Sequence, residues 1–331
     1  MPFSKFIGND PAKTALLRMA EQKSVPGTLL FYGPAGVGKG LFAIALAELL
    51  MGEKHAPKLI SQNHPDLFIY HPEGKAAIHT VESMRKLISE AALPPYEAPV
   101  KVFVLHDAHQ MPPYSSNALL KLLEEPPEHC YFILLTNALD AILPTLVSRS
   151  RKVPFFPIPQ SQIESFIISK WKKKPEESRR IAFLSHGSLG RAKQLEQSEQ
   201  LPWRAPLLEI LSLSLPHEYP QFQKLALELE ESCAVESADG EEEEAGASSL
   251  LSSADMIFEE IVAWYRDLHL VKDQIALEHL YHLDSLDRLK LALSKPLIPL
   301  EKVLEQSFKA RLALQRSVRL RTVLEQFFLS L

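Results

Sequence analysis

Thr28-Leu29-Leu30-Phe31-Tyr32 runs directly into Gly33-Pro34-Ala35-Gly36-Val37-Gly38-Lys39-Gly40, and an apolar stretch from Leu41 to Met51 follows. The first segment is short and apolar, which predicts a buried strand, and the stretch rich in Leu and Ala predicts a helix. A glycine-rich turn between a strand and a helix is the context of the phosphate-binding loop G-x-x-x-x-G-K-[ST]. We therefore predict that this turn descends from a nucleotide site.

The last position of the loop departs from that pattern. Gly33, Gly36 and Gly38 allow backbone N–H groups to face phosphate oxygens, and Lys39 adds a positive charge. The pattern then requires Ser or Thr, whose hydroxyl ligates Mg²⁺, but the residue is Gly40, which has no side-chain oxygen. We expect ATP and Mg²⁺ to bind weakly or not at all. The alternative is a glycine-rich turn that never contacts phosphate.

The segments around the loop predict an α/β domain. Val100 to His106 and Tyr131 to Thr136 are further apolar runs typical of buried strands, and Ser115 to Glu125 has helical character between them. Strands that alternate with helices predict a parallel sheet with helices on both faces. Because proline cannot continue a sheet ladder, the connector at residues 154–159 marks the end of this domain.

The remainder of the chain has a helical pattern. We predict an α/β P-loop domain at residues 1–157, followed by helical domains at 158–200 and 201–331. Residues 236–253 are rich in Glu, Ser, Ala and Gly, which predicts a disordered acidic loop, with a solvated linker favoured over a binding tail.

Composition narrows the class of protein. Apolar residues make up 46% of the 331 residues, enough for several packed domains. The start of the sequence lacks the apolar core of a signal peptide, and no apolar run approaches the ~20 residues of a membrane span, so we expect a cytoplasmic protein. A net charge of -5 argues against a protein that binds DNA on its own. The two cysteines, Cys130 and Cys233, offer neither a disulfide framework nor a zinc site.

Two further stretches carry a family resemblance. Asn117-Ala118-Leu119-Leu120-Lys121-Leu122-Leu123-Glu124-Glu125-Pro126-Pro127 and Leu146-Val147-Ser148-Arg149-Ser150-Arg151, together with the loop, resemble the clamp-loader branch of the AAA+ ATPases. Weaker matches extend the resemblance to about residue 192 and thinly beyond: Phe6 to Asn9, His64 to Asp66, Gly187 to Ala192 and Trp264 to Leu268. The resemblance implies an AAA+ domain, a lid and a collar.

The resemblance also assigns the acidic motif of the active site. Leu105-His106-Asp107 aligns with the Asp-Glu pair of active relatives, which places His106 at the metal-ligating position and Asp107 at the water-orienting position. A slip of one residue in that register would let Asp107 bind the metal instead. For His106 itself we favour a strand-end histidine hydrogen-bonded to backbone. Many relatives carry a four-cysteine zinc module before His64, but residues 54–63 contain no cysteine, so we predict no zinc.

Arg149 is the residue that we expect to carry catalysis. It occupies the arginine of the family's Ser-Arg-Cys motif, which reaches the γ-phosphate held by a neighbouring subunit and acts there as an arginine finger. The alternative is a surface arginine on a turn. By the same resemblance, Thr136 or Asn137 occupies the family's first sensor position. Arg191 occupies the position of the second-domain sensor arginine, which contacts the chain's own nucleotide. Both sensor positions are vestigial if this chain's own nucleotide site is empty.

The resemblance implies a stator-like subunit without ATPase activity of its own. Its partners would be gamma/tau and delta subunits in a hetero-pentamer that loads a sliding clamp onto primed DNA. Most of the contact with DNA would then be made by the other subunits of the complex. Two alternatives remain open: a gamma/tau-type motor that hydrolyses ATP, and a non-replicative AAA+ assembly module.

Overall fold

The computed structural model describes residues 2–74, 77–197, 203–213, 218–235, 243–275, 280–294, 296–316 and 318–331. The chain divides into two compact units. The α/β unit comprises Met1–Lys172 and Ser185–Lys193, and the helical unit comprises Lys173–Leu184 and Gln194–Leu331. The expected three-domain division, with boundaries after residues 157 and 200, stays a prediction.

Five parallel strands form the sheet of the α/β unit, in the order β2-β3-β4-β1-β5. The strands are β1 (Thr28–Tyr32), β2 (Leu67–Tyr70), β3 (Lys101–Leu105), β4 (Cys130–Thr136) and β5 (Arg151–Pro154). In β1, Leu29 and Phe31 pack into one apolar cluster and Leu30 into the other, as the alternation of side chains along a strand requires. The sheet is therefore covered on both faces, which confirms the expected α/β fold.

The described residues of the segment Met1–Lys172 contain seven α-helices. They are α1 (Asp10–Glu21), α2 (Lys39–Met51), α3 (Ala56–Ile60), α4 (Val81–Ala91), α5 (Pro113–Glu124), α6 (Pro144–Arg149) and α7 (Gln160–Phe166), and α7 continues into a π-helical turn, Ile167–Trp171. Phe42 and Leu46 of α2 pack on one face of the sheet, and Leu87 of α4 and Leu119 of α5 pack on the other.

The chain then forms the helices of the helical unit. They are α8 (Pro175–Leu184), α9 (Leu189–Gln197), which begins in the α/β unit, α10 (Arg204–Ser212), α11 (Tyr219–Val235), α12 (Glu243–Lys272), α13 (Leu286–Ala292), α14 (Leu300–Gln315) and α15 (Leu320–Ser330). Trp203, Phe222, Phe258, Trp264 and Phe327 are fully buried in the core of this unit. Among the described helices, none is both long and apolar enough to cross a membrane.

The predicted acidic loop requires a correction. Residues 236–242 lie outside the described residues. Residues 243–253 form the first turns of α12, so the expectation of a loop is wrong there. Two factors favour the helix: Ala and Leu in this segment have high helix propensity, and the same helix continues into the buried Ile257 and Phe258, whose packing stabilises it.

A cluster of charged side chains is buried in the helical unit. Glu260 of α12 accepts a hydrogen bond from Nε of Arg204 at 2.8 Å, and Oδ2 of Asp267 lies 2.8 Å from Nδ1 of His282. Arg180 of α8 and Nε2 of His282 lie within 4 Å of the Glu260 carboxylate. Burial alone would lower the pKa of His282, but its two carboxylate partners outweigh burial and raise that pKa to about 9.

Candidate nucleotide site

A cavity of about 790 Å³ lies within the α/β unit, on the side of the sheet where the parallel strands end. Ligand sites in open α/β sheets occur at this edge, because the loops that follow the strands converge there. Its polar side chains are Lys5, Lys39, Gln62, His106, Asp107, Asn137 and Lys193. Its larger apolar side chains are Phe6, Ile7, Val37, Leu41, Phe42, Ile44, Ile69, Leu135, Ile158, Phe166, Trp171 and Leu189.

The three expected glycines of the loop adopt backbone angles that other residues rarely adopt. The φ angles of Gly33, Gly36 and Gly38 are +142°, +69° and +99°. A Cβ on Gly33 would lie 2.1 Å from the carbonyl oxygen of Phe155, and a Cβ on Gly36 would lie 2.0 Å from Oγ of Ser188. Glycine is therefore required at Gly33 and Gly36 for both conformation and space, and at Gly38 for conformation.

Lys39 begins α2 and folds back onto its own loop. Its Nζ donates to the carbonyl oxygens of Gly33 at 2.6 Å and Pro34 at 2.5 Å. Burial lowers the pKa of Lys39 to about 8, against the opposing effect of the Asp107 charge. An ammonium group has three donors, so one remains for a ligand after these two contacts.

His106 and Gly40 meet at the place where the loop pattern expects a metal ligand. A Cβ on Gly40 would lie 3.1 Å from Cε1 and 3.7 Å from Nε2 of His106. The ring of His106 stacks on His71, with ring centroids 4.3 Å apart. Neither residue offers the hydroxyl or carboxylate oxygen that Mg²⁺ prefers, and the ring takes the space that a Ser or Thr side chain would enter. The residues present do not fit a Mg²⁺ site of the expected kind.

Other histidines hold His106 in place. Nε2 of His79 donates to the carbonyl oxygen of His106 at 2.6 Å, and the backbone N–H of His106 donates to Tyr70 at 2.9 Å. Burial, followed by the neighbouring His71, lowers the pKa of His106 to about 4, so its ring is neutral at pH 7. His71 directly follows β2, which places it at the same sheet edge as His106.

The remaining predicted site residues fall into two groups. Asp107 and Asn137 line the cavity. Thr136 is buried instead, and its hydroxyl accepts from the N–H of Ala138 at 3.0 Å. On α9, the cavity lining includes Lys193, which was not predicted as a site residue, and does not include Arg191.

Two weakly matched segments anchor the site. The N–H of Gly190 donates to the carbonyl oxygen of Gly36 at 3.0 Å, which ties the start of α9 to the phosphate loop. The Asn9 side chain donates to the carbonyl oxygen of Phe156 and accepts from its N–H, at 3.2 and 2.7 Å. The segment near residues 187–192 thus positions the loop, and the segment near residues 6–9 is bonded to the connector that follows β5.

Arg149 is the last residue of α6 and is not among the cavity-lining residues described. Its guanidinium pairs with Glu124 at the end of α5 and donates to the carbonyl oxygen of Thr145 at 3.0 Å. The side chain is 33% exposed. Such a residue is held in one orientation yet remains accessible from outside the unit.

Among the described residues, His55, His64 and Glu97 form a group of possible metal ligands, and none of the three lines the cavity. Nδ1 of His64 accepts from the N–H of Asp66 at 3.0 Å, so in the neutral ring the proton sits on Nε2. That nitrogen faces Nδ1 of His55 at 2.8 Å and donates to it. Since metal-bound histidine instead donates its second nitrogen to an acceptor, this arrangement is a hydrogen-bonded pair. The absence of zinc stays a prediction.

Comparisons with known proteins relate about half of the chain to subunits of DNA polymerase III. Residues 8–159 match the family model described as DNA polymerase III, delta subunit. DNA polymerase III subunit gamma/tau of Mycobacterium bovis is 30% identical over 175 residues, covering 50% of this chain and 30% of that protein. The delta' subunit of Bacillus subtilis is 27% identical over 196 residues, covering 56% and 58%. Replication factor C subunit 3 of Saccharomyces cerevisiae is 27% identical over 200 residues, covering 58% and 55%.

Two solved structures are also similar to this chain, both at low identity and with TM-scores below 0.5. A gamma subunit-related protein of Thermotoga maritima covers 91% of this chain and 98% of its own, with 19% identity and a TM-score of 0.38. The Holliday junction branch migration motor RuvB of the same organism covers 85% and 88%, with 16% identity and a TM-score of 0.44. This chain spans about a third to three fifths of the length of the curated relatives that it matches. Over residues 8–159 the chain is therefore similar to the clamp-loader subunits of DNA polymerase III.

Proposed function

We propose that this chain is a stator-like clamp-loader subunit of the delta-prime type, which does not hydrolyse ATP and acts in the cytoplasm during DNA replication. The contact between Gly40 and His106 carries the proposal. In ATP hydrolysis the metal bridges the β- and γ-phosphates and neutralises developing charge. A site that presents an imidazole ring and a glycine to that position lacks both of the oxygen ligands on which the metal depends.

Arg149 supports a role in a neighbour's site. It lies outside its own cavity lining, is partly exposed and is held by Glu124 and Thr145. A planar cation held in this way can stabilise charge on a transferred phosphoryl group across a subunit boundary, and arginine fingers contribute about 10³–10⁵ in rate in other systems. The arginine needs no nucleotide bound to its own chain.

The surface of the helical unit supports assembly with other clamp-loader subunits. Leu304, Phe308 and Leu312 repeat every four residues along α14 and are 50%, 65% and 39% exposed. An apolar stripe of this kind on one helix face marks an interaction surface in soluble proteins. The proposed partners are gamma/tau and delta subunits in a hetero-pentamer that loads a sliding clamp onto primed DNA.

A gamma/tau-type motor is the second candidate. The geometry of the glycine loop favours it, since Lys39 and the three glycines are retained and Asp107 lines the cavity. Hydrolysis would then require Asp107 to hold the metal, with water in place of the missing hydroxyl at residue 40. The protein's own ATPase activity separates the two candidates.

The proposal is tested in a reconstituted clamp loader whose partner subunits hydrolyse ATP. We expect Arg149→Ala to lower the DNA-stimulated ATPase rate by at least about 10-fold while the complex still assembles, since an arginine finger acts on the transition state. Arg151→Ala is the matched control, because Arg151 is exposed two residues away on β5. An unchanged rate with Arg149→Ala, in an intact complex, would eliminate the stator role.

A further inference from the structure

Aromatic and aliphatic side chains line a large part of the cavity. The rings of Phe166 and Trp171 meet edge to face with centroids 5.7 Å apart, and Phe6 and Ile7 line the same cavity. The volume of about 790 Å³ falls within the range of about 300–1,000 Å³ that small-molecule sites occupy. A wall of this composition suits a planar nucleobase.

The charged side chains of the cavity suit a polyphosphate. Lys5, Lys39 and Lys193 line it, and Asp107 is the one carboxylate among the described lining residues. The loop between β1 and α2 adds backbone N–H groups at the start of a long helix, where anions are stabilised. These three lysines supply positive charge that a divalent metal otherwise brings to bound phosphates.

The metal position itself is filled by protein. The His106 ring lies against Gly40 and is stacked on His71. The backbone carbonyl of His106 accepts a hydrogen bond from the His79 side chain. An imidazole N–H at this place can donate a hydrogen bond to a phosphate oxygen, whereas a hydrated Mg²⁺ needs several oxygen ligands and more room.

We propose that the cavity binds a nucleoside polyphosphate without a divalent cation, with the His106 ring at the place that Mg²⁺ takes in hydrolysing relatives. This inference rests on the proposed loss of the metal site but not on assembly with partners or on Arg149. The bound nucleotide would stabilise the phosphate loop and the start of α9, which contact each other through Gly36 and Gly190.

Equilibrium dialysis of labelled ADP and ATP against the full chain tests this inference. We expect dissociation constants in EDTA and in MgCl₂ that agree within about twofold, which is less than about 0.5 kcal/mol. Lys39→Ala should weaken binding at least about 10-fold in both buffers. The double variant Gly40→Ser, His106→Asp restores two oxygen ligands, so its binding should become at least about 10-fold tighter with Mg²⁺ than with EDTA.

A second measurement does not depend on the folding of any variant. In EDTA, ADP should shift the ring-proton NMR signals of His106 and leave unchanged those of the half-buried His129, which is not among the cavity-lining residues described. Wild-type binding that requires Mg²⁺, or no binding and no His106 shift at saturating ADP, would overturn the inference. The loader could assemble and its ATPase rate could depend on Arg149 while this chain binds no nucleotide. That result would contradict only this inference and would be consistent with the proposed function.

Discussion

Cε1 of His106 lies 3.1 Å from the point where a Cβ of residue 40 would be. Any side chain at residue 40 would therefore press on the ring, and any residue smaller than histidine at position 106 would leave space beside Gly40. The two departures from the hydrolytic pattern, 66 residues apart in sequence, fit each other in space. They form one local arrangement rather than two separate losses.

This fit predicts energetic coupling between the two positions. Gly40→Ser should cost about 1–2 kcal/mol of unfolding free energy through overpacking against the ring. Adding His106→Ala should remove that cost, so the double-mutant cycle should give a coupling energy of about 1 kcal/mol. Urea unfolding of the wild type, both single variants and the double variant measures it. Effects that add within about 0.3 kcal/mol would contradict the contact.

Gly187 should tolerate a side chain much less well than Gly74. Both have left-handed backbone angles, with φ of +80° and +70°, but a Cβ on Gly187 would lie 2.5 Å from Cβ of Pro157, whereas nothing lies within 4 Å of one on Gly74. We expect Gly187→Ala to cost about 2–4 kcal/mol and Gly74→Ala only about 1 kcal/mol, the cost of backbone strain alone. Equal losses in thermal or urea unfolding would show that space at Gly187 is not limiting.

Asp66 should contribute to stability through three backbone hydrogen bonds. Its carboxylate accepts from the N–H groups of Tyr96, Glu97 and Ala98 at 2.6, 2.7 and 2.8 Å. Burial would raise the pKa of Asp66, but these donors outweigh it and lower that pKa. Asp66→Asn places an NH₂ group against N–H donors and should cost about 2–4 kcal/mol.

The exposed Asp10 provides the control for Asp66, and Asp10→Asn should cost less than about 1 kcal/mol. Because the folded pKa of Asp66 is depressed, its contribution is present above the unfolded pKa of about 3.9 and is lost as the pH falls through the lower folded value. If the Asp66→Asn variant were as stable as the wild type at pH 7, the backbone hydrogen bonds to Asp66 would not contribute to stability.

The buried His282 should make stability fall as the pH rises. Its folded pKa of about 9 lies above the ordinary value of 6.5, so its contribution is complete below pH 6.5 and is lost as the pH rises through 9. Between these values the wild type should lose about 3 kcal/mol of unfolding free energy more than His282→Asn, which cannot titrate. Denaturant unfolding at both pH values measures this difference, and parallel pH profiles would contradict the assignment.

Much of the α/β fold could be predicted from the sequence. The order of β1, the glycine loop and α2 follows from apolar runs broken by glycines, and β3 and β4 are long, continuous apolar segments. β2 was not predicted, because its four residues are too few to show a period and it lies at the sheet edge. The helical start of α12 was missed because charge outweighed helix propensity in the interpretation of residues 243–253.

The site was predictable in its parts but not in its contacts. Gly40 and His106 each stood out against the motif, yet their contact depends on how α2 packs on β3, which no local pattern encodes. Asn9 and Asp66 bind backbone groups that lie up to 147 residues away, and backbone partners leave no signature in sequence. Lys193 rather than Arg191 lines the cavity because the exact turn of α9 decides which side chain reaches it.

The steady-state ATPase activity of the isolated chain with Mg²⁺ tests the central claim most directly. The contact between Gly40 and His106 predicts phosphate release no faster than the buffer background, and the same trace for Lys39→Ala. Turnover by the wild-type chain that disappears in Lys39→Ala would contradict the claim, since it would mean that this site assembles a working metal and nucleotide centre.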